Sequence, residues 1–213
     1  MPAVRAVLFD FNGTLSHDEP ILCGIYQELF ARHGRPMSEA DYYGTLAGNS
    51  EEAIISGWLG VEGAELRALV AERIERYRRR AADGSTVPVE HREAVAYAAA
   101  RVPVAVVSGA FRREIEPVLQ ACGLADLFAA VVTADEVANG KPHPEGYARA
   151  AALLGVEPVA AVAFEDTEAG VAAAKDAGLR CLAVRGTLAP ERLARADELV
   201  DRIDVGLMRR LLG

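Results

Sequence analysis

Hydrophobic and polar residues follow two different patterns along this chain. From Glu19 to Arg32 the apolar positions recur at helical spacing, and the same spacing returns between Leu66 and Tyr77. Residues 53–59 carry a further apolar segment that favours a helix. We therefore predict that residues 16–84 are all helical, with a turn at residues 83–85 closing this part of the chain.

After Pro88 the pattern changes to short apolar runs that alternate with helical segments. This alternation predicts an α/β fold, a Rossmann-like parallel sheet with right-handed crossovers and helices on both faces. An apolar run at residues 6–9 belongs to the same sheet. The predicted later strands are residues 102–107, 129–133, 159–164 and 180–184, and predicted helices include residues 145–154 and 168–177.

The order of these patterns predicts two parts. Residues 1–15 and 85–213 would form the core, and residues 16–84 an inserted all-helical cap. Because the insertion follows the first strand directly, it would lie beside the ends of the strands and could act as a lid.

Size and charge narrow the class of protein. The chain has 213 residues and a formal net charge of −8, which argues against nucleic acid or an acidic membrane as the partner, because phosphate-rich surfaces require a basic one. The N-terminus carries no long apolar segment, so we expect neither a signal peptide nor a membrane span, and a cytoplasmic location.

The most informative residue is Asp10, which directly follows the apolar run at residues 6–9. A carboxylate at the end of a buried strand stays ionised only beside a cation or several donors. With Mg²⁺ as that cation, it could attack phosphorus and form an aspartyl phosphate. Gly13 would let the backbone turn closely around a phosphoryl group, and the hydroxyl of Thr14 could donate to the carboxylate or the phosphate.

Two further strand ends offer phosphate-binding groups. Ser108 and Gly109 follow the strand at residues 102–107, just before a helix, where a hydroxyl and free N–H groups can hold a phosphate. An alternative is that Ser108 simply caps that helix. Lys141 stands in a turn of a chain that has only one other lysine, Lys175, and a compact ammonium fits between a carboxylate and a phosphoryl oxygen better than a planar guanidinium does.

Glu165 and Asp166 follow another apolar run. Two adjacent carboxylates at a strand end would repel each other without a cation, so together with Asp10 they predict a hard oxygen site suited to Mg²⁺. The alternative is an acidic pair that complements the start of a helix.

Four groups of candidate site residues thus follow one another along the chain: Asp10, Ser108, Lys141, and the pair Glu165 and Asp166. In this order, as nucleophile, hydroxyl, lysine and acid pair, they resemble the haloacid dehalogenase superfamily. The match includes the segments 140–144 and 165–170 and looks like the branch that contains phosphoglycolate phosphatase and β-phosphoglucomutase. The resemblance implies a phosphatase of a small phosphorylated metabolite that uses Mg²⁺. Its implied roles are nucleophile and metal ligand for Asp10, phosphate binding for Ser108 and Lys141, and metal binding or its support for Glu165 and Asp166.

One position departs from that family. The branch normally carries a second aspartate, the general acid and base, where this chain has Asn12. An amide cannot exchange a proton usefully near neutral pH, although the backbone carbonyl of Asn12 could still bind Mg²⁺. Three explanations remain open: slowed hydrolysis, replacement of the acid by His17 or Asp18, or a phosphoester-binding protein without turnover.

Other chemistries of that family fit less well. Phosphonate hydrolysis in this family resembles a Schiff-base reaction that needs a cap lysine, which is absent here. The dehalogenases work on carbon without Mg²⁺, and the presence of Glu165 and Asp166 argues against that chemistry. A phosphomutase would need the missing acid more than a hydrolase does, and Glu51 stands in the cap loop where the mutase carries an arginine.

A basic cluster in the predicted cap has two interpretations. It could attract an anionic substrate, but a solvated helix end that complements the helix dipole is favoured. The cluster consists of Arg73, Arg76, Arg78, Arg79 and Arg80.

Overall fold

The architecture is a parallel sheet covered on both faces by helices. A computed structural model describes residues 3–213 of the protein. Within them, six strands form one sheet in the order β3-β2-β1-β4-β5-β6, and each neighbouring pair is parallel. The strands are β1 (Ala6–Phe9), β2 (Val104–Val107), β3 (Ala130–Val132), β4 (Ala161–Glu165), β5 (Arg180–Val184) and β6 (Glu198–Val200). The predicted fold class is confirmed.

The central strand shows why the sheet needs cover on both faces. Val7 and Phe9 of β1 belong to one hydrophobic cluster, and Ala6 and Leu8 belong to another, because successive side chains of a strand point to opposite faces. All four are fully buried. A strand that is apolar on both sides is typical of a parallel sheet between two helical layers.

The helices divide between these two clusters. Residues of α7 and α8 pack on the face of Ala6, whereas residues of α5, α6 and α9 pack on the face of Phe9. The bounds are α1 (Glu19–Arg32), α2 (Glu39–Asp41), α3 (Glu51–Leu59), α4 (Gly63–Ala81), α5 (Val89–Ala99), α6 (Arg112–Ala121), α7 (Glu145–Leu153), α8 (Glu168–Asp176) and α9 (Val205–Leu212).

Residues 16–84 are built from helices α1 to α4, with a π-helical turn at Tyr42–Leu46 between α2 and α3. Helix α4 packs against both α1 and α3. Its buried side includes Leu69, Ile74 and Tyr77. The hydrophobic cluster on the Phe9 face continues into α1, α3 and α4, so these helices lie directly on the core. The division at residues 16–84 stays a prediction.

Three elements lie outside the sequence predictions: the alanine-rich helix α5, the edge strand β6 and the final helix α9. Strand β6 has three residues and begins with Glu198, so its pattern carries little signal. No helix among residues 3–213 combines the length and the apolar character that crossing a bilayer requires.

Candidate active site

Four segments that are distant in sequence meet at one edge of the sheet. Asp10 follows β1, Ser108 follows β2, and Glu165 ends β4 with Asp166 next to it. Strands β2, β1 and β4 are neighbours, so their carboxyl ends lie side by side. Lys141 reaches this edge from the loop after β3. We call Asp10, Lys141, Glu165 and Asp166 the rim cluster.

Asp10 is nearly buried, with 6% of its surface exposed. Its Oδ1 accepts a hydrogen bond from Lys141 Nζ at 2.5 Å. Burial raises the pKa of Asp10 to about 7, and the nearby Glu165 adds to the rise while Lys141 opposes it. Even with Lys141 beside it, the carboxyl is only partly ionised near neutral pH, so a further positive charge is needed to make it a full anion.

Lys141 is the cation that holds this edge together. Its Nζ lies 2.5 Å from Glu165 Oε1 and donates to the carbonyl oxygen of Val107 at 3.0 Å. Burial alone would lower the pKa of Lys141, but the carboxylates of Asp10 and Glu165 outweigh burial and raise it. The compact ammonium of Lys141 can contact the oxygens of Asp10, Glu165 and Val107 at once. The hydroxyl of Tyr147 also donates to Glu165 Oε1, at 2.6 Å.

The acidic members of the rim cluster have the chemistry of a cation site. Asp10, Glu165 and Asp166 each offer a carboxylate oxygen, and these oxygens lie within 4.8 Å of one another. Asp166 Oδ2 is buried and has no hydrogen-bond partner among the described residues, while Thr14 Oγ1 donates to Asp166 Oδ1 at 2.9 Å. Burial, and then the charge of Asp10, raise the pKa of Asp166. Three buried carboxylates with one lysine and an unused oxygen fit a divalent cation such as Mg²⁺.

Two glycines have no side chain where these carboxylates lie, and any Cβ there would collide with them. A Cβ at Gly13, where φ is +74°, would lie 2.0 Å from Asp166 Oδ2. A Cβ at Gly170, in the first turn of α8, would lie 1.9 Å from Glu165 Oε2. Both glycines are therefore required by the packing of the acid pair.

Ser108 and Gly109 line a cavity of about 400 Å³ that also reaches Asp10 and Lys141. Ser108 is buried, and its Oγ accepts from the backbone N–H of Ala110 at 3.1 Å. The following helix begins at Arg112, with Phe111 in the capping position. Ser108 is thus not the cap of that helix.

Asn12 lines the same cavity, but its side chain is turned toward the first residues of the predicted cap. Its Nδ2 donates to Asp18 Oδ2 at 2.9 Å, and Asp18 also accepts from the hydroxyl of Tyr77 at 2.5 Å. Asp18 is fully buried, and burial raises its pKa. His17 is exposed, with its ring against that of His91. Among the described residues, neither His17 nor Asp18 lines the cavity.

The cavity also contains groups that the sequence patterns did not single out as site residues. Glu19, Glu51 and Arg73 line it, as do Thr133 and Tyr147. Thr133 directly follows β3, and Glu51 and Arg73 stand in the predicted cap, but no spacing along the chain groups these residues with the strand-end residues.

The interpretation of the basic cluster as a solvated helix end is wrong for Arg73. This residue is 3% exposed, forms an ion pair with Glu114 of α6, and has Nη2 3.4 Å from Glu51 Oε1. The reason is helical phase: Arg73 lies four residues after Leu69 and four before Tyr77, both of which are buried on α4. Later arginines of the cluster, such as Arg78, point to solvent.

Comparison with known proteins identifies relatives over most of the chain. Residues 4–178 match the family model of the haloacid dehalogenase-like hydrolases. Validoxylamine A 7'-phosphate phosphatase of Streptomyces hygroscopicus subsp. limoneus is 34% identical over 92% of both chains. Phosphoglycolate phosphatase of Pectobacterium atrosepticum is 28% identical over 84% of this chain and 80% of its own. The crystal structure of β-phosphoglucomutase from Clostridium difficile superposes with a TM-score of 0.84, covering 98% of this chain and 97% of its own at 20% identity, which supports the fold.

Proposed function

This chain belongs to the haloacid dehalogenase-like hydrolases, and on that premise we propose that it is a Mg²⁺-dependent phosphatase of a small phosphomonoester. Its phosphatase relatives support the reaction class. The observation that carries the proposal is the convergence of Asp10, Lys141 and the acid pair at one edge of the sheet, beside an unused oxygen of Asp166.

Each rim residue has a role in the proposed reaction. A carboxylate oxygen of Asp10 attacks the phosphorus, the bond from phosphorus to the ester oxygen breaks, and an aspartyl phosphate forms. Water then attacks the phosphorus and releases phosphate, which returns the Asp10 carboxylate. Lys141, Ser108 and the N–H of Gly109 hold phosphoryl oxygens, and Thr14 orients Asp166. Asp10, Asp166 and the carbonyl of Asn12, with Glu165 in support, would hold Mg²⁺, which would supply positive charge to the phosphoryl group.

The proposed reaction also needs a proton for the departing ester oxygen, and Asn12 occupies the position from which the family normally supplies it. Asn12 has no proton to give, and its amide is engaged with Asp18. Because neither His17 nor Asp18 lines the cavity, we infer that the leaving group takes its proton from water. General acid catalysis contributes about 10² to 10⁴ in rate, so esters with good leaving groups should be hydrolysed far faster than alkyl esters.

We infer that residues 16–84 serve as the cap over this site and that the substrate is a small phosphorylated metabolite of the cytoplasm. Support for the cap comes from Glu19, Glu51 and Arg73, which belong to this segment and line the same cavity as Asp10. The relatives named for validoxylamine A 7'-phosphate and phosphoglycolate support a phosphate ester as the substrate.

Phosphate release from p-nitrophenyl phosphate, with Mg²⁺ and with a chelator, tests this proposal. We expect turnover only with the metal, and a loss of at least about 10³-fold in Asp10→Asn, because the attacking group is removed. In the same variant a beryllofluoride adduct should no longer form, while thermal unfolding stays cooperative. Turnover that persists in Asp10→Asn would remove Asp10 from the role of nucleophile.

The hydrogen bond from Asn12 to Asp18 supports a second candidate, a phosphoester-binding protein without turnover. Asn12→Asp distinguishes the two. An aspartate there would meet Asp18 in a buried setting, so the pair would retain a proton to near neutral pH and supply the missing acid. If the wild type binds phosphate esters without hydrolysing them and Asn12→Asp hydrolyses them, the binding protein is the correct description.

A further inference from the structure

The part of the cavity lining that comes from residues 16–84, here called the cap wall, differs chemically from the rim cluster. Its charged members are Glu19, Glu51, Glu52 and Arg73. Arg73 is the single cation of the cap wall among the described residues, and three carboxylates accompany it. The charges of this wall determine which kind of leaving group an ester could place against it.

Arg73 has little charge left for a ligand. Its Nη1 donates to Glu114, and its Nη2 lies 3.4 Å from Glu51. Its Nε has no partner among the described residues, but an anion that approached it would meet the carboxylates of Glu51 and Glu114. With two carboxylates around one guanidinium, the group is neutral or negative as a whole.

Two other side-chain donors of the cap wall have partners within the protein. Tyr42 donates its hydroxyl proton to Glu19 Oε2 at 2.8 Å, and Asn49 Nδ2 donates to the carbonyl of Thr45 at 3.0 Å. Ser50 Oγ accepts from the N–H of Ala53 and keeps its proton for a ligand, whereas the charged groups left for a ligand are the carboxylates of Glu19, Glu51 and Glu52. Burial raises the pKa of Glu19 and of Glu51 to about 7, so both gain from a donor or a positive charge on a bound molecule.

We propose that the substrate carries a neutral or cationic polyol as its leaving group, rich in hydroxyl or amine hydrogens, and that the cap wall rejects esters with a second phosphate or a carboxylate. This inference rests on the proposed function, because it takes the rim cluster as the place of the transferred phosphate. Hydroxyl and ammonium groups pair with the acceptors of Glu19 and Glu51, whereas a second anion meets like charge in a site of reduced dielectric constant. A cavity of about 400 Å³ suits a leaving group the size of one sugar or cyclitol ring.

A matched set of six-carbon monophosphates tests the inference. Glucose 6-phosphate is neutral at the far end, glucosamine 6-phosphate carries an ammonium group there, and 6-phosphogluconate carries a carboxylate. With free Mg²⁺ held constant, we expect kcat/KM for 6-phosphogluconate to be at least about ten-fold below that for glucose 6-phosphate, and glucosamine 6-phosphate to equal or exceed the latter. Fructose 1-phosphate and fructose 1,6-bisphosphate form a second pair, and we expect kcat/KM to be lower for the bisphosphate.

Variants assign the discrimination to the cap wall. Glu19→Gln keeps the acceptor for Tyr42 and removes the charge, so the preference against 6-phosphogluconate should shrink several-fold. Glu51→Gln should act in the same direction. Glu65→Gln is the matched control, since Glu65 is exposed on α4 and is not part of the cavity lining.

The outcomes separate this inference from the proposed function. Equal rates across the set, or a preference for the carboxylate or the bisphosphate, would overturn the cap-wall inference while leaving the phosphatase intact. Absence of turnover with every ester, p-nitrophenyl phosphate included, would overturn the phosphatase. In that case the affinities of the same three esters, measured from the shift in unfolding temperature that each one causes, decide the cap-wall inference by their order.

Discussion

Two buried groups of charged residues contribute to the same cavity, and they are put together differently. The rim cluster has three carboxylates around Lys141, and one carboxylate oxygen of Asp166 has no partner in the described part of the chain. The second group, the Arg73 cluster, consists of Arg73 with Glu51 and Glu114. Each cluster contains more carboxylates than cations.

The difference lies in what remains unpaired. In the rim cluster an acceptor is left over, and two of the three acids have raised pKa values, so the site is incomplete without a further cation. In the Arg73 cluster the group left over is a donor, Arg73 Nε, and one of the two acids, Glu51, has a raised pKa. The rest of the guanidinium pairs with both acids, joins α3 and α4 to α6, and stands over the rings of Tyr26 and Tyr77. We interpret the first arrangement as a site for ligands and the second as a buried connection between the predicted cap and the core.

The largest expected effect is on activity in the rim cluster. Lys141→Met removes the ammonium that contacts Asp10, Glu165 and the carbonyl of Val107. We expect kcat/KM to fall by about 10² to 10³-fold or more, because a preorganised charge is lost from the phosphate site.

Lys175→Met is the matched control, since it changes the other lysine of the chain. Lys175 pairs with Asp197 near the surface, at 2.7 Å, away from the cavity lining. Steady-state kinetics should show no change in this variant. A comparable loss of activity in both variants would contradict the role of Lys141.

A second effect is expected on stability in the Arg73 cluster. Arg73→Met leaves Glu51 and Glu114 buried without their cation, which should lower the free energy of unfolding by about 3–5 kcal/mol. Replacing both acids by glutamine in the same chain should recover most of this loss, because no uncompensated charge then remains. Urea unfolding measures both quantities, and a single variant as stable as the wild type would show that the ion pairs do not connect the helices.

The two clusters also differ in how far the sequence predicts them. Members of the rim cluster follow the apolar runs of parallel strands, whose carboxyl ends must share one edge, so the approach of Asp10 to Asp166 is predictable. The predicted strand at residues 180–184 has the bounds of β5, and the other predicted strands overlap the observed ones. Confirmed strand positions thus bring the candidate residues together, although their roles stay predictions.

The Arg73 cluster depends on the packing of three helices, which no local pattern encodes. Residues 51, 73 and 114 stand on α3, α4 and α6, and their spacing along the chain has no period. The one usable signal is the phase of α4, where Arg73 falls on the same side as Leu69 and Tyr77. Helix α5 is a similar case, because its buried positions Ala94 and Ala98 are small and give little contrast with the exposed ones.

The smallest expected effect is on the pH dependence of stability at Glu19, a member of the cap wall. Burial raises the pKa of Glu19 from an ordinary 4.5 to about 7, so the folded protein keeps this proton to higher pH than the unfolded chain does. Its contribution to stability is present below about pH 4.5 and is lost as the pH rises through about 7. Glu19→Gln carries no charge at any pH, so it should be more stable than the wild type by about 1–2 kcal/mol at pH 8 and no more stable at pH 4.5.

Urea unfolding across this pH range, first with a chelator and then with Mg²⁺, measures how strongly Glu19 is coupled to the rim cluster. Mg²⁺ should stabilise both proteins more strongly at pH 8 than at pH 5, because the cation favours the ionised forms of Asp10 and Asp166 in the rim cluster. The charge of Glu19 also raises the pKa of Asp166, so the cation should favour the ionised form of Glu19 as well. The gap between the two proteins should therefore narrow with the metal present, and Glu65→Gln should follow the wild type throughout. A gap of unchanged size would mean that Glu19 and the rim cluster titrate independently.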